Sequence, residues 1–340
     1  MAADLGTKYL GLELRSPIVA SASPLTGDPD SARLLDEAGV GAIVLPSLFE
    51  EEILNDEIGL NRSLENGTEQ FAEALDYFPA VDSLPDVGQR YLANLAAIKA
   101  RSSVPVIASL NATSTGGWVH YAKLMQDAGA DALELNLYRV AADPKKTAAE
   151  MDAADLDLIA AVRASITIPL AVKLSPYYSA FANFAGAAVA RGANGLVLFN
   201  RFYQPDLDLD TLAVVNKVEL SQPADLRLPL RWIAILRPQL GAKVSLAASS
   251  GVHTGTDAAK ELLVGADVVM LASALLRNGP GHVRTVEAEL RAWIDKGEYE
   301  SVAQLRGSAS AATAENPSAF ERANYIQTLR SWTTPEVPAK

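Results

Sequence analysis

Four times along this chain a helical pattern closes on a small-residue turn and passes at once into an apolar run. The junctions AGV-GA, AGA-DA, GAN-G and GADV begin at Ala38, Ala128, Gly192 and Gly265. A glycine that ends a helix and a short loop that enters a strand make the α-to-β junction of a repeating unit. The spacing leaves room for one more strand and helix between consecutive junctions, which gives eight units. Eight parallel strands, each followed by a helix, close into an α/β (β/α)8 TIM barrel. The alternative, an open doubly wound sheet, would carry G-x-G-x-x-G after its first strand, and that motif is missing there.

The eight strands are expected at Pro17–Ala22, Gly41–Leu45 (ended by Pro46), Val104–Leu110, Ala132–Leu135, Pro169–Leu174, Gly195–Phe199, Val244–Ala248 and Val268–Leu271. Ahead of them, residues 7–16 alternate apolar and polar around a glycine, which predicts an N-terminal hairpin capping the bottom of the barrel. Helices are expected over Pro29–Ala38, Gln89–Ala100, Trp118–Ala128, Ala148–Ala164, Phe181–Arg191, Arg231–Gln239 and Thr285–Lys296. Residues 46–104 are too long for a loop and predict a lid-like insertion at the barrel mouth. Residues 201–229 form a second excursion. The stretch 280–340 reads as a C-terminal helical extension without a motif, and the whole of 1–340 as a single barrel domain.

The stretch Lys243–Leu276 carries the most chemistry. Two consecutive strands end in small residues, Ser249-Ser250-Gly251 and Ala272-Ser273, and each opens a helix. Neighbouring turns of this kind present backbone N–H groups that attract an anion, and small side chains let it come close. In a barrel these would be the loops after strands seven and eight, a frequent phosphate site.

Composition removes several function classes. The net charge of −12 disfavours a nucleic-acid surface. The absence of cysteine excludes thiolate nucleophiles, Cys-bound zinc and iron–sulfur clusters. His120, His253 and His282 show no metal-ligand spacing, so no metal is expected. The N-terminal residues lack an apolar signal core and no window is long enough to span a membrane. Cytoplasmic placement is the default expectation, with small molecules or a second copy of the chain as partners.

The expected strand ends carry Ser21, Asn111, Asn136, Lys173, Asn200 and Ser249/Ser250. A lysine following Leu-Ala-Val on a buried strand is costly unless it meets an anion. The asparagines together make a ring of amide donors and acceptors suited to a flat heterocycle with alternating carbonyl and N–H groups.

Taken in order, LGLELRSPIVASAS, AGADALELNLY, IPLAVKLSPY, ANGLVLFNR, LPLRWIAIL and SSGVHTGTDAAKELLVGADVVMLASALL resemble segments of the dihydroorotate dehydrogenase family over nearly the whole chain. The resemblance implies FMN at the barrel mouth, its phosphate against Ser250, Gly251, Ala272 and Ser273 and its ring against Ala20, Ser21 and Ala22. It places Lys173 at the pyrimidine end of the ring, where positive charge favours the anionic reduced flavin. Asn136 and Asn200 match positions contacting ring and substrate, with Asn111 beside them as a substrate ligand. The implied activity is oxidation of dihydroorotate, a step of pyrimidine biosynthesis, or of a related planar amide-rich compound, by a protein that often pairs as a homodimer.

Three features depart from the family's pattern. The loop after the fourth strand reads NLYRVAAD, with Tyr138 and Arg139 where the family carries a Cys or Ser base, and Arg139 is a poor base at any accessible pH. Tyr138 is left as the candidate. Pro46 stands where the family has a flavin-contacting lysine, and ENGTEQFAEALDYF offers no counterpart to the family's orotate-gripping asparagine loop. Two other classes therefore stay open: a phosphate-binding barrel lyase or isomerase using Lys173 as a Schiff base, and a flavin-binding protein with little turnover.

Overall fold

The computed structural model describes residues 3–54, 86–116 and 119–332. Eight parallel strands close into a barrel: β3 (Ile18–Ala20), β4 (Ala42–Phe49), β5 (Val106–Asn111), β6 (Ala132–Asn136), β7 (Leu170–Leu174), β8 (Gly195–Leu198), β11 (Ser245–Ser249) and β12 (Val268–Leu271), with β12 returning to β3. The expected (β/α)8 architecture is therefore observed. Before the barrel, β1 (Thr7–Tyr9) and β2 (Leu12–Leu14) pair antiparallel. Leu10 and Gly11 both have positive φ, the two-residue turn that suits the twist of a hairpin. Tyr9, Leu10 and Leu14 are buried with the inward residues Val19, Val44, Ile107, Ala132 and Ala171. The hairpin thus stoppers the barrel at its N-terminal end, as its sequence predicted.

The recurring junctions have a common physical basis. Gly39, Gly129, Gly192 and Gly265 all adopt left-handed φ, between 99° and 121°, where a side chain is strained. Two residues later, Asp131, Asn194 and Asp267 each accept the first free N–H of the preceding strand. The bonds run from Val106 N (2.7 Å), Leu170 N (2.9 Å) and Leu246 N (2.7 Å). At the fourth junction the equivalent residue is Gly41, and a Cβ there would lie 2.0 Å from the Ser16 carbonyl oxygen. Close backbone approach replaces the side-chain bond.

Pro46 does not end the second strand. β4 continues to Phe49, and its register with β5 shifts between Val44 and Ser47. Proline lacks the N–H for a ladder bond, so the chain bulges past Leu45-Pro46 and resumes pairing at Ser47. The helix predicted from Gln89 runs over Val87–Lys99, capped by Asp86. The core of the expected lid, residues 55–85, lies outside the described residues, as does Trp118. The helix read as Arg231–Gln239 spans Arg227–Leu240, because Pro229 falls in its first turn, where a missing N–H costs nothing. The second excursion contains a small antiparallel pair, β9 (Asp206–Leu207) with β10 (Val214–Val215). The C-terminal extension holds helices His282–Lys296, Val302–Leu305 and Ala323–Arg330.

Candidate active site

The C-terminal ends of the strands surround a cavity of about 370 Å³, within the usual size range of small-molecule sites. Its wall includes Ser21 and Ala22 after β3, Asn136 on β6, Lys173 on β7, Asn200 after β8, Ser250 and Gly251 after β11, and Ala272 and Ser273 after β12. These sequence-predicted residues converge on one space. Ala20, Asn111 and Tyr138 do not line it. Ala20 packs outward into the core between barrel and helices, and Asn111 is buried opposite Asn136 and Phe49 in the ladder.

Lys173 and Glu134 follow from the period of two along a strand, which turns every second residue inward. Glu134 and Asn136 project inward from β6, and Lys173 stands beside Asn136 in register. Lys173 Nζ lies 3.5 Å from Glu134 Oε1, with side chains 9% and 1% exposed. The buried lysine does meet an anion, one contributed by the protein. The other carboxylate oxygen, Oε2, has no hydrogen-bond partner among the described residues, and neither has the Tyr9 hydroxyl. Burial, with Glu134 and then Asp267 nearby, pushes the Tyr9 phenol far above its ordinary range.

A polar chain crosses the mouth. Asn200 Nδ2 donates to Asn136 Oδ1 (2.6 Å), Asn136 Nδ2 to Ser47 Oγ (3.4 Å), and Ser47 and Ser109 share a hydrogen bond (2.8 Å). Tyr91 closes it, its hydroxyl accepting from Ser109 N and donating to Ser109 O. Four strands or their ends are tied together, and the asparagine amides are held in place at the wall. The sequence gives no sign of Ser47's place at the site, because Pro46 just before it has the signature of a strand end.

The phosphate turns differ from expectation in one respect. The helix Gly255–Val264 does not offer a free N-terminus: Asp257 accepts from His253 N and Thr254 N, and Glu289 accepts from Gly255 N at 2.8 Å. Carboxylates occupy those donors, a common way to satisfy the first turn. The available surface is the pair of tight turns themselves. Ser250 and Gly251 both have positive φ, 80° and 84°. Ser221, from the second excursion, straps the two turns together: its N–H donates to Ser273 Oγ (2.9 Å) and its hydroxyl accepts from Gly251 N (3.4 Å). Only the folded chain brings Ser221 there.

The loop after β6 is occupied with itself. The Tyr138 ring stacks on Phe202 at 4.4 Å, and Tyr177 meets the same ring edge-on. Arg139 is ion-paired with Asp155 at 3.3 Å and donates to Thr113 O. At the cavity wall Arg201 is paired with Asp225 at 2.9 Å, while Tyr203 supplies a phenol. His253 is buried behind the turns, and burial, then Arg277, lowers its pKa, so the neutral ring is favoured.

Comparison with known proteins agrees with this geometry. The family described as Dihydroorotate dehydrogenase matches residues 55–294. The chain is 25% identical over 312 residues to the catalytic subunit of dihydroorotate dehydrogenase B (NAD(+)) of Thermoplasma acidophilum, covering 90% of this chain and 99% of the relative. It is 26% identical to a putative dihydroorotate dehydrogenase A (fumarate) of Aeropyrum pernix, over 90% of this chain and 97% of the relative. It is also 25% identical over 206 residues to the chloroplastic dihydropyrimidine dehydrogenase (NADP(+)) of Arabidopsis thaliana, covering 56% and 48% of the two chains. A closed barrel whose mouth gathers a lysine, two asparagines and two small-residue turns, in a chain matched over most of its length, belongs to the dihydroorotate dehydrogenase family of oxidoreductases acting on CH–CH groups.

Proposed function

We propose that the protein is an FMN-dependent oxidoreductase that oxidises dihydroorotate or a closely related planar, amide-rich ring. The observation that carries this reading is the placement of Lys173 and the Asn136–Asn200 pair on the same cavity wall as the turns at Ser250-Gly251 and Ala272-Ser273. One end of that space offers backbone amides and small hydroxyls, which suit a phosphate. The other offers an ammonium and oriented amides, which suit a polar ring edge. A ligand with a phosphate at one end and a flat heterocycle at the other fits both donor sets.

FMN, when bound, supplies an acceptor for hydride and so the redox chemistry. Ser250, Gly251, Ala272 and Ser273 would hold its phosphate, with Ser221 fixing the spacing of the two turns. Ser21 and Ala22, lacking bulk, would leave room for the ring. Lys173 stabilises negative charge beside it, and Glu134 keeps that ammonium from retreating into solvent. Asn136 and Asn200 orient the substrate's carbonyl and N–H groups through fixed amides.

Oxidation at a CH–CH bond also releases a proton, and a positioned base contributes roughly 10² to 10⁴ in rate. Arg139 is committed to Asp155, and Tyr138, stacked on Phe202, is not among the residues that line the cavity. Tyr203 and the wall hydroxyls are what the described cavity offers for proton transfer. A slower proton step than in relatives with a dedicated base is the consequence. The lyase reading is weaker, since Lys173 is buried and paired with Glu134, whereas a Schiff-base amine must be free to attack. The test is turnover of dihydroorotate with fumarate, a quinone or a redox dye as acceptor. A rate above background with one acceptor supports the reading, and no rate with any removes dihydroorotate as substrate. Residues 1–340 would act as one barrel unit; no helix among the described residues is long and apolar enough to cross a membrane.

A further inference from the structure

Inside the barrel, beneath the ammonium of Lys173, two buried polar groups are left over from the network at the mouth. Tyr9 is fully buried, and its hydroxyl has no hydrogen-bond partner among the described residues. Glu134 is 1% exposed; its Oε1 faces Lys173 Nζ at 3.5 Å, and its Oε2 is as unpartnered as the phenol. Neither orphan satisfies the other. Buried polar atoms without a partner are rare, and each carries the full desolvation penalty of a group that water would have bonded.

The N-terminal hairpin puts the phenol there. Two bonds fix how deep β1 and β2 sit: Thr7 Oγ1 donates to Asp267 O at 3.0 Å, and Leu10 N donates to Ser245 Oγ at 2.8 Å. Tyr9 packs with Ala132, Ala171 and Ala247, inward residues too short to fill the barrel axis, so its ring takes that space. Ala132 and Glu134 are successive inward positions of β6, and Ala171 stands beside Glu134 in register on β7. The layers that hold the ring therefore also carry the carboxylate. After burial itself, Glu134 is the main influence on the Tyr9 phenol, in the direction that keeps it protonated. A protonated phenol is a donor, and a carboxylate oxygen is an acceptor.

From a donor and an acceptor that share one buried layer without bonding each other, we infer that Tyr9 and Glu134 hold a buried water between them, and that Tyr9 acts through Glu134 as a positioning residue for the Lys173 ammonium. A water accepts from the phenol and donates to Oε2, which satisfies both orphans at once. The carboxylate is then held by the ammonium on one oxygen and by the water on the other, and it cannot swing away from Lys173. Hydrogen bonding to Oε2 also draws charge from Oε1, so the carboxylate cancels less of the ammonium's field at the cavity. A residue at the closed end of the barrel thereby sets the charge at the open end. The water and the hold on the carboxylate depend on no cofactor. The effect on the cavity's field, read through a flavin, rests on the function proposed above.

The test has two arms. The first is a crystal structure of the full wild-type chain at a resolution that shows ordered solvent, with Tyr9→Phe beside it. The expected result is a solvent peak within hydrogen-bond distance of both Tyr9 Oη and Glu134 Oε2, missing from Tyr9→Phe. A direct bond between the two side chains, or no density between them in the wild type, overturns the inference. The second arm is redox titration of the flavin-loaded protein. Tyr9→Phe keeps the ring and deletes only the hydroxyl, and it is expected to lower the flavin midpoint potential, in the same sense as removing the Lys173 cation. With Glu134→Gln already present, the same substitution should leave the potential where it is, since the amide carries no charge for the water to share. A potential that ignores Tyr9→Phe, or one that shifts equally with Glu134→Gln present, overturns the positioning role. A protein that takes up no flavin defeats the proposed function instead, and the wild-type solvent peak then decides the inference alone.

Discussion

Lys173 and Glu134 form an ion pair inside the barrel, Nζ to Oε1 at 3.5 Å, with the carboxylate's second oxygen left without a partner among the described residues. The pair sets the charge at the mouth: one ammonium toward the cavity, one carboxylate beneath it. Two substitutions should therefore act in opposite directions. Lys173→Met removes the cation and is expected to lower the flavin midpoint potential and weaken cofactor retention. Glu134→Gln removes the anion and is expected to raise the potential while destabilising the fold, by up to the roughly 3–5 kcal/mol seen when a buried pair loses one partner. Redox titration and urea unfolding of both variants check this; potentials that shift in the same direction would count against the arrangement.

Gly251 is the backbone position least able to accept change. Its φ is +84°, and a Cβ would come within 2.3 Å of Leu226 N. Gly251→Ala should cost about 1–3 kcal/mol from strain alone and reduce bound flavin, because Leu226 and the neighbouring strap at Ser221 must move. Gly11→Ala is the control, with φ +82° and open space around it. It should lose stability yet keep full cofactor content, as read from the ratio of visible to ultraviolet absorbance.

Asn136 is both acceptor for Asn200 and donor to Ser47. Asn136→Ala should lower kcat/KM roughly twofold to tenfold, the size expected for losing a neutral hydrogen bond worth about 0.5–1.5 kcal/mol. Thermal stability should change little by comparison. Steady-state kinetics beside a melting curve separates the two effects, and unchanged kinetics would remove Asn136 from the substrate site.

Glu261 is fully buried in the helix Gly255–Val264, and neither carboxylate oxygen has a partner among the described residues. Burial, and then the nearby Asp257, pushes its pKa well above the usual glutamate value. A carboxyl whose pKa is raised on folding stabilises fully below its unfolded pKa, about 4.3, and that contribution is lost as pH rises through the folded value. Glu261→Met abolishes this dependence. The variant's stability relative to wild type should therefore improve steadily from pH 4 upward, measured as paired urea midpoints at acid and mildly alkaline pH. A difference that does not vary with pH would show that Glu261 is ionised in the fold.

Much of the barrel was legible because its signals are local. The glycine junctions at Gly39, Gly129, Gly192 and Gly265 each need left-handed backbone, and the polar strand ends interrupt apolar runs. The same locality made Lys173 and the asparagines visible. Glu134 was equally accessible, since it lies two residues before Asn136 and so on the same face, but inside ALELN it passes for an ordinary strand residue. Ser221 carried no signal, because its role depends on an excursion folding back across two turns 30 and 52 residues away. Pro46 misled because a proline that usually stops a strand is tolerated here by a bulge. Asp28 caps the helix Pro29–Ala38 from the adjacent sequence, whereas at Gly255 part of the cap comes from Glu289, which reaches in from a later helix.

The central claim is that the turns at Gly251 and Ser273 hold the phosphate of a flavin whose ring lies beside Lys173. Its most direct test is the absorbance spectrum of the purified protein, followed by heat release and mass identification of whatever is bound. The account predicts the two visible bands of an oxidised flavin, release of FMN in about one equivalent per chain, and bleaching of both bands when dihydroorotate is added without oxygen. A colourless protein that fails to take up added FMN would contradict it.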